Sequence, residues 1–169
     1  MEENLGETFE TFQRKMRSID FFRKNSHNFK FEIEPEQKIY GLMLAFRSAT
    51  MVLKHFYESK GFKIKEINTV WSLGIKDGYI EEENVWKSMY FNGKEFNSDY
   101  DYKTDPELFN TIHDRLFLLL QNFEEKFKNE YESISKWQKE WDSYTPTTLE
   151  VKEFSFISNI KQKFRNLFK

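Results

Sequence analysis

The sequence predicts an all-α fold, an up-and-down bundle of four or five helices followed by an additional C-terminal helix. Apolar residues recur at spacings of three and four along most of the chain, as on one face of a helix. Only 6 Gly and 3 Pro occur in 169 residues, and few of them interrupt the periodic stretches. Aromatic residues make up 18% of the chain, 19 of them Phe, so that a few large rings can fill the core. We expect a bundle over residues 1–130 and a helical extension over 131–169 that packs on the bundle or projects from it.

The first two helices have the clearest patterns. The first is predicted over Glu7 to Lys24, and the second starts at Pro35, because Pro and acidic residues suit the first turn of a helix. Gly61 stands where a left-handed cap would end the second helix. The apolar stripe of the first helix contains Phe9, Phe12, Met16, Ile19 and Phe22, and that of the second contains Ile39, Leu42, Met43, Phe46, Ala49, Val52, Leu53 and Phe56. A stripe as broad as the second one predicts contact with several neighbouring helices.

The later helices are predicted from period and turn signals. A short third helix covers residues 65–73, and a fourth begins near 81–83 and ends near 93–97. The fifth runs from Pro106 to Tyr144, and at about 1.5 Å per residue it would be roughly 58 Å long. Because that exceeds a small bundle, we expect a bend or a protrusion near 129–133. A last helix is predicted over 149–168.

Composition excludes several classes of protein. The formal net charge is −2 and there are no cysteines, so disulfides and thiolate sites are excluded and no overall attraction to nucleic acid is expected. No apolar run reaches the roughly 20 residues of a membrane span, and the acidic N-terminus lacks a leader pattern, so we expect a cytoplasmic protein. His27, His55 and His113 are scattered, and no Gly-rich phosphate loop occurs; we therefore expect neither a cofactor nor a metal.

One segment has residue types and spacing that suggest a functional site. Trp86, Met89, Tyr100 and Asp101 match, without a gap, the signature of the nucleotidyltransferase substrate-binding-protein-like family of the HEPN superfamily, which this chain resembles over residues 8–127. The resemblance implies a helical bundle that is usually a homodimer and commonly accompanies a minimal nucleotidyltransferase. Some members act as RNase toxins of toxin–antitoxin pairs, whereas others only bind.

The two reactive positions of that signature differ here. Gly93 occupies the position of the family's Arg, and Ser98 that of its His. Ser98 has no group that titrates near neutral pH, and Gly93 offers no charge to a phosphate. Lys94 is adjacent, but neighbouring helical residues point about 100° apart. The remaining cluster of Asp99, Tyr100 and Asp101 repels a phosphate backbone, so we expect no catalytic residues.

Three sets of residues are candidates for binding. The first would line a ligand or partner groove and comprises Trp86, Lys94, Ser98, Asp99, Tyr100 and Asp101. The second comprises Trp137 and Trp141, one helical turn apart, which would anchor a partner or be covered by the last helix. The third is the basic face of Lys161, Lys163, Arg165 and Lys169, which suits RNA or an anionic membrane but also suits the helix dipole.

The function predicted from these features is non-catalytic. The chain would dock on a protein partner, such as a nucleotidyltransferase or a toxin–antitoxin or defence component, and regulate it by occupying its surface. One alternative is an RNA-binding or RNA-cleaving toxin with an altered site that uses Lys94, Asp99 or Tyr100. Another is a phage or mobile-element regulator that inhibits a host protein.

Overall fold

The computed structural model describes residues 4–25, 34–91 and 106–143, and within them the side chains up to residue 136. These residues form five helices and no strand, so the all-α prediction is confirmed. The helices are α1 (Leu5–Asn25), α2 (Pro35–Ser59), α3 (Ile67–Lys76), α4 (Glu83–Phe91) and α5 (Pro106–Ser143). The last helix predicted over 149–168 lies outside the described residues.

Helix α1 begins two residues earlier than predicted because Asn4 caps it. The Glu7 backbone N–H donates to Asn4 Oδ1 at 3.0 Å, and the Asn4 backbone N–H donates to Glu7 Oε2 at 3.4 Å. This reciprocal pair is a capping box, with Asn in place of the usual Ser or Thr. The Asn-x-x-Glu spacing was therefore a start signal present in the sequence.

Helix α2 ends at the predicted glycine. Gly61 has φ 91°, a conformation that residues with a Cβ rarely adopt. The Gly61 N–H donates to the Glu58 carbonyl at 2.9 Å and the Phe62 N–H donates to the Tyr57 carbonyl at 3.0 Å. The Phe62 and Tyr57 rings also meet edge to face, with centroids 5.8 Å apart. Together these contacts form a Schellman cap with its hydrophobic contact.

Helix α2 is the centre of the bundle, since it packs against each of the other four described helices. This confirms the inference from its broad stripe, all eight of whose residues are buried. Contacts along the helices give their directions. Thr8 of α1 hydrogen-bonds His55, whereas Lys15 reaches the carbonyl of Leu44, so α1 is antiparallel to α2.

Helix α5 packs against both α1 and α2 and completes the core of the described residues. Phe12 meets Phe123 with ring centroids 5.3 Å apart, while Arg23 pairs with Asp114, so α5 is antiparallel to α1. The rings in the middle of the core interlock edge to face, which favours aromatic pairs beyond the area they bury. They include Phe9, Phe12, Phe46, Phe56, Trp86, Phe123 and Phe127.

The C-terminal parts of α1 and α5 differ from what the sequence predicted. Phe22, predicted to face inward, is 43% exposed, because the last two turns of α1 flank a cleft instead of the core. Helix α5 is continuous through residues 129–133. No described side chain after Phe127 is fully buried, but Tyr131 and Ile134 still pack against the core. Helix α5 therefore stays on the bundle through the region where a bend or a protrusion was expected. The expected boundary at residue 130 falls inside this helix.

Two helical glycines should respond in opposite ways to the same added methyl group. A Cβ at Gly74 would lie 2.8 Å from Ile80 Cδ1 and 3.1 Å from Leu53 Cδ1, both buried, whereas at Gly41 the nearest atom, Ile19 Cγ1, is 3.9 Å away. We expect Gly74→Ala to lower the free energy of unfolding by about 1–2 kcal/mol through overpacking. Gly41→Ala should raise it by up to about 1 kcal/mol through helix propensity.

Urea denaturation of the two variants and the wild type measures both effects. Equal changes of the same sign would contradict the close packing of α3 on α2.

Candidate functional site

An open cleft of about 1000 Å³ lies between α1, α2 and the first turns of α5. Its volume is at the upper end of the range for ligand pockets. The residues that line it are Thr11, Arg14, Lys15, Ser18, Ile19, Phe22, Arg23, Gln37, Lys38, Gly41, Leu44, Asn110, His113 and Asp114. Of the segment that the sequence singled out, the structure describes residues 86–91, and none of these lines the cleft.

The cleft follows from helical periodicity on two neighbouring helices. Its α1 residues recur at spacings of three and four from Thr11 to Arg23, and its α2 residues do so from Gln37 to Leu44. Such residues share one face of a helix. The cleft is therefore an elongated groove along both helices, and the start of α5 contributes Asn110, His113 and Asp114.

The lining of the cleft is strongly positive. Among the described residues, four cations line it, Arg14, Lys15, Arg23 and Lys38, with Asp114 as the single carboxylate. This concentration contrasts with the formal net charge of −2 for the whole chain. A concave surface that carries charge of one sign focuses the field and attracts ligands of the opposite sign.

The cations differ in what they already contact. Arg23 pairs with Asp114 at 2.6 Å and covers the face of the Phe117 ring at 4.1 Å, so its position is held from two sides. Arg14 donates to the neutral Thr11 hydroxyl at 2.9 Å. Within the described part of the chain, neither Arg14 nor Lys38 forms an ion pair with a carboxylate.

His113 is the buried titratable group of the cleft. Its side chain is almost inaccessible, and its Nδ1 lies 3.8 Å from Asp114 Oδ1. Burial, and then the positive charge of Arg23, lower the pKa of His113 to about 4, although Asp114 opposes the shift. The imidazole is therefore neutral at physiological pH, and the positive charge of the cleft comes from its Arg and Lys residues.

The floor of the cleft is apolar, and Gly41 leaves a gap on its α2 side. Ile19 and Leu44 are partly buried there, and Gly41 between them carries no side chain. A Cβ built at Gly41 would have only Ile19 Cγ1 within 4 Å, at 3.9 Å. The missing side chain thus leaves room for a ligand to approach the α2 backbone.

Of the predicted groove residues, only Trp86 lies in the described part of the chain. It is 1% exposed, and its ring meets Phe46 and Phe123 edge to face at 5.0 and 5.5 Å. Its Nε1–H has no hydrogen-bond partner among the described residues. In this structure Trp86 serves the core and not a binding surface.

The other candidates lie outside what the structure describes. Lys94, Ser98, Asp99, Tyr100 and Asp101 fall between α4 and α5, and the basic face of Lys161, Lys163, Arg165 and Lys169 follows α5. Trp137 and Trp141 belong to α5, but their side chains are beyond the last one described.

Sequence reasoning missed the cleft because its parts are far apart in the chain. The sequence contained only a local sign of a positive surface. Arg14 and Lys15 lie next to the apolar stripe of α1, and Lys38 lies next to the apolar stripe of α2. In the sequence His113 is one of three scattered histidines, and only the structure shows that it is buried beside the cleft. Only the packing of three helices shows that these residues share one surface.

Comparisons of this chain with protein-family models, curated proteins and solved structures found no match. None of the helices over residues 4–25, 34–91 and 106–143 combines the length and apolar character needed to cross a bilayer. Over the same ranges, no three His, Asp or Glu side chains group as metal ligands do.

The lowered pKa of His113 predicts how stability depends on pH. The unfolded chain binds a proton near pH 6.5, while the folded chain resists it until about pH 4, so acid favours unfolding. The free energy of unfolding is unaffected by this group above pH 6.5. It falls by on the order of 3 kcal/mol as the pH decreases towards 4. Wild type should therefore lose more stability than His113→Gln over this interval.

Urea denaturation of both proteins at pH 7 and pH 4.5 measures the difference. The same loss in the two proteins would show that His113 is protonated without penalty in the folded state.

Proposed function

We propose that this chain is a non-catalytic binding protein that docks on a protein partner through the cleft and regulates the partner by occupying its surface. The observation that carries the proposal is the composition of the cleft, in which four cations surround an apolar floor within an open volume of about 1000 Å³. A protein surface with a charged rim and an apolar centre is typical of recognition sites. The partner surface would be acidic.

The two parts of the cleft would have different roles in docking. Arg14 and Lys38 attract an acidic surface and orient it, which mainly raises the association rate. The floor formed by Ile19 and Leu44 removes apolar area of the partner from water, which stabilises the complex once formed. Because the helices are rigid and packed by α2, little ordering of the described cleft is required on binding.

The resemblance described above suggests the kind of partner. A nucleotidyltransferase, or another toxin–antitoxin or defence component, fits the proposal, with the chain acting as a homodimer. The chemistry of His113 supports a non-catalytic role, since an imidazole whose pKa is about 4 is a weak base at neutral pH.

RNA binding is the second candidate function. It is favoured by the same four cations, because Lys and Arg supply most of the affinity for a phosphate backbone. The apolar floor of Ile19 and Leu44 is not explained by this candidate, so we rank it below a protein partner.

A pull-down from the native host, using the tagged full chain, should recover one stoichiometric protein partner and no RNA. Arg14→Glu with Lys38→Glu should abolish the capture, because the cleft would then repel an acidic surface. The matched control is Lys63→Glu with Lys65→Glu, which makes the same change of net charge at exposed residues outside the cleft. Mass spectrometry and parallel extraction of nucleic acid give the readout. RNA recovered without a protein partner would reverse the order of the two candidates.

The purified chain should not cleave RNA above the background of a mock preparation. The measurement is gel electrophoresis of labelled single-stranded RNA after incubation at neutral pH. Cleavage that disappears on Lys94→Ala, Asp99→Ala, Tyr100→Phe or His113→Gln would instead establish an enzyme with an altered site.

A further inference from the structure

We propose that the occupant of the cleft is an acidic amphipathic helix of the partner, about three turns long, that lies along the groove between α1 and α2. The inference rests on the proposed function and adds the chemistry of the segment recognised. It follows from the shape of the groove, the gap at Gly41, and the distribution of charge.

The shape of the groove matches a helix. The α1 lining extends from Thr11 to Arg23, which at about 1.5 Å per residue is about 18 Å. Three turns of a helix, at about 5.4 Å each, have nearly this length. An amphipathic helix that places its apolar face in a groove between two helices is a recurrent mode of protein recognition.

The gap at Gly41 lets such a helix approach closely. Gly41 lies between Lys38 and Leu44 on the same face of α2, where every other cleft residue carries a side chain. Among the described side chains, only Ile19 comes near the position of its missing Cβ. An apolar side chain of the partner would fill this gap and cover Ile19 and Leu44, the apolar residues that line the floor.

The distribution of charge determines which amphipathic helix fits. Arg14 on α1 and Lys38 on α2 lie on the two walls and have no carboxylate partner among the described residues. Asp114, the single carboxylate of the lining, is already paired with Arg23 at 2.6 Å. Acidic residues on both flanks of the partner's apolar face would therefore meet a cation on each wall, whereas a basic helix would be repelled.

The same features favour a protein segment over RNA. A phosphate backbone would satisfy the cations but would leave Ile19 and Leu44 uncovered. The Phe22 ring at the end of the groove already meets Phe21, with centroids 5.8 Å apart, so its stacking on a base would compete with that contact. The formal net charge of −2 also opposes the binding of a polyanion where it extends beyond the cleft.

The test selects peptides without assuming their sequence. A phage-displayed library of random 16-residue peptides is selected on the wild-type full chain and counter-selected on Gly41→Leu, whose side chain would fill the gap. We expect this variant to fold, since replacing a helical Gly removes a residue of poor helix propensity. We expect enriched peptides to combine Asp and Glu with apolar residues at spacings of three and four.

Fluorescence polarisation of the most enriched peptide then locates the site. Its affinity should fall at least tenfold for Gly41→Leu and for Arg14→Glu with Lys38→Glu, and less than twofold for the control Lys63→Glu with Lys65→Glu. Three results would overturn the inference: no enrichment, enriched peptides without an acidic bias, or affinity that both cleft variants retain. Tighter binding of single-stranded RNA than of the peptide, if the cleft variants abolish it, would assign the cleft to nucleic acid and would also overturn the inference.

Capture from the host separates this inference from the proposed function. A protein partner that is still captured by Gly41→Leu would leave the docking function standing and refute the acidic helix as occupant of the cleft. If neither wild type nor Gly41→Leu captures a protein, the proposed function itself fails, whatever the peptides show.

Discussion

The structure depends on the burial of the broad apolar face of α2. Twelve residues of that helix are buried, and each of the other four described helices packs against it. Large rings from three of those helices, including Phe12, Trp86 and Phe123, close the space around Phe46 and Phe56. Their interlocking limits how far any one helix can move, because a core at crystal-like density has no free volume to absorb a shift. The caps at Asn4 and Gly61 fix where the helices enter and leave this core.

The cleft exists where that packing stops. Along α1 the buried stripe ends at Met16, and the next turns carry polar and cationic side chains towards α2. Gly41 on α2 offers no side chain to meet them. Two helices that are held together at one end by large rings therefore leave a groove at the other. The same packing of α1 on α2 thus gives both a rigid core and an open cleft. A surface held in place by such a core would lose little conformational entropy on binding a ligand.

The fold, and not the overall composition, determines where positive charge is concentrated on the surface. A chain with nearly equal numbers of acidic and basic residues presents a cleft with four cations and one carboxylate. Other acidic residues pair with cations outside the cleft, as in the contacts of Lys126 with Glu81 and of Arg115 with Glu82. Burial keeps His113 neutral, so the cleft has the same charge over the physiological pH range. A surface of this kind would favour negatively charged ligands without acting as a pH switch.

The described helices and much of the face that each one buries can be predicted from the sequence, because both depend on local periodicity, caps and breakers. The sequence predicted eight of the twelve buried residues of α2, the cap at Gly61, and the buried residues Phe9, Phe12 and Met16 of α1. It placed Trp86 in a binding groove, whereas the ring lies between Phe46 and Phe123; an apolar residue on a helix face does not reveal whether a neighbour covers it. The cleft follows only from the way in which the helices pack. Arg14, Lys38 and His113 are separated by tens of residues, and no local pattern records that three helices bring them to one surface.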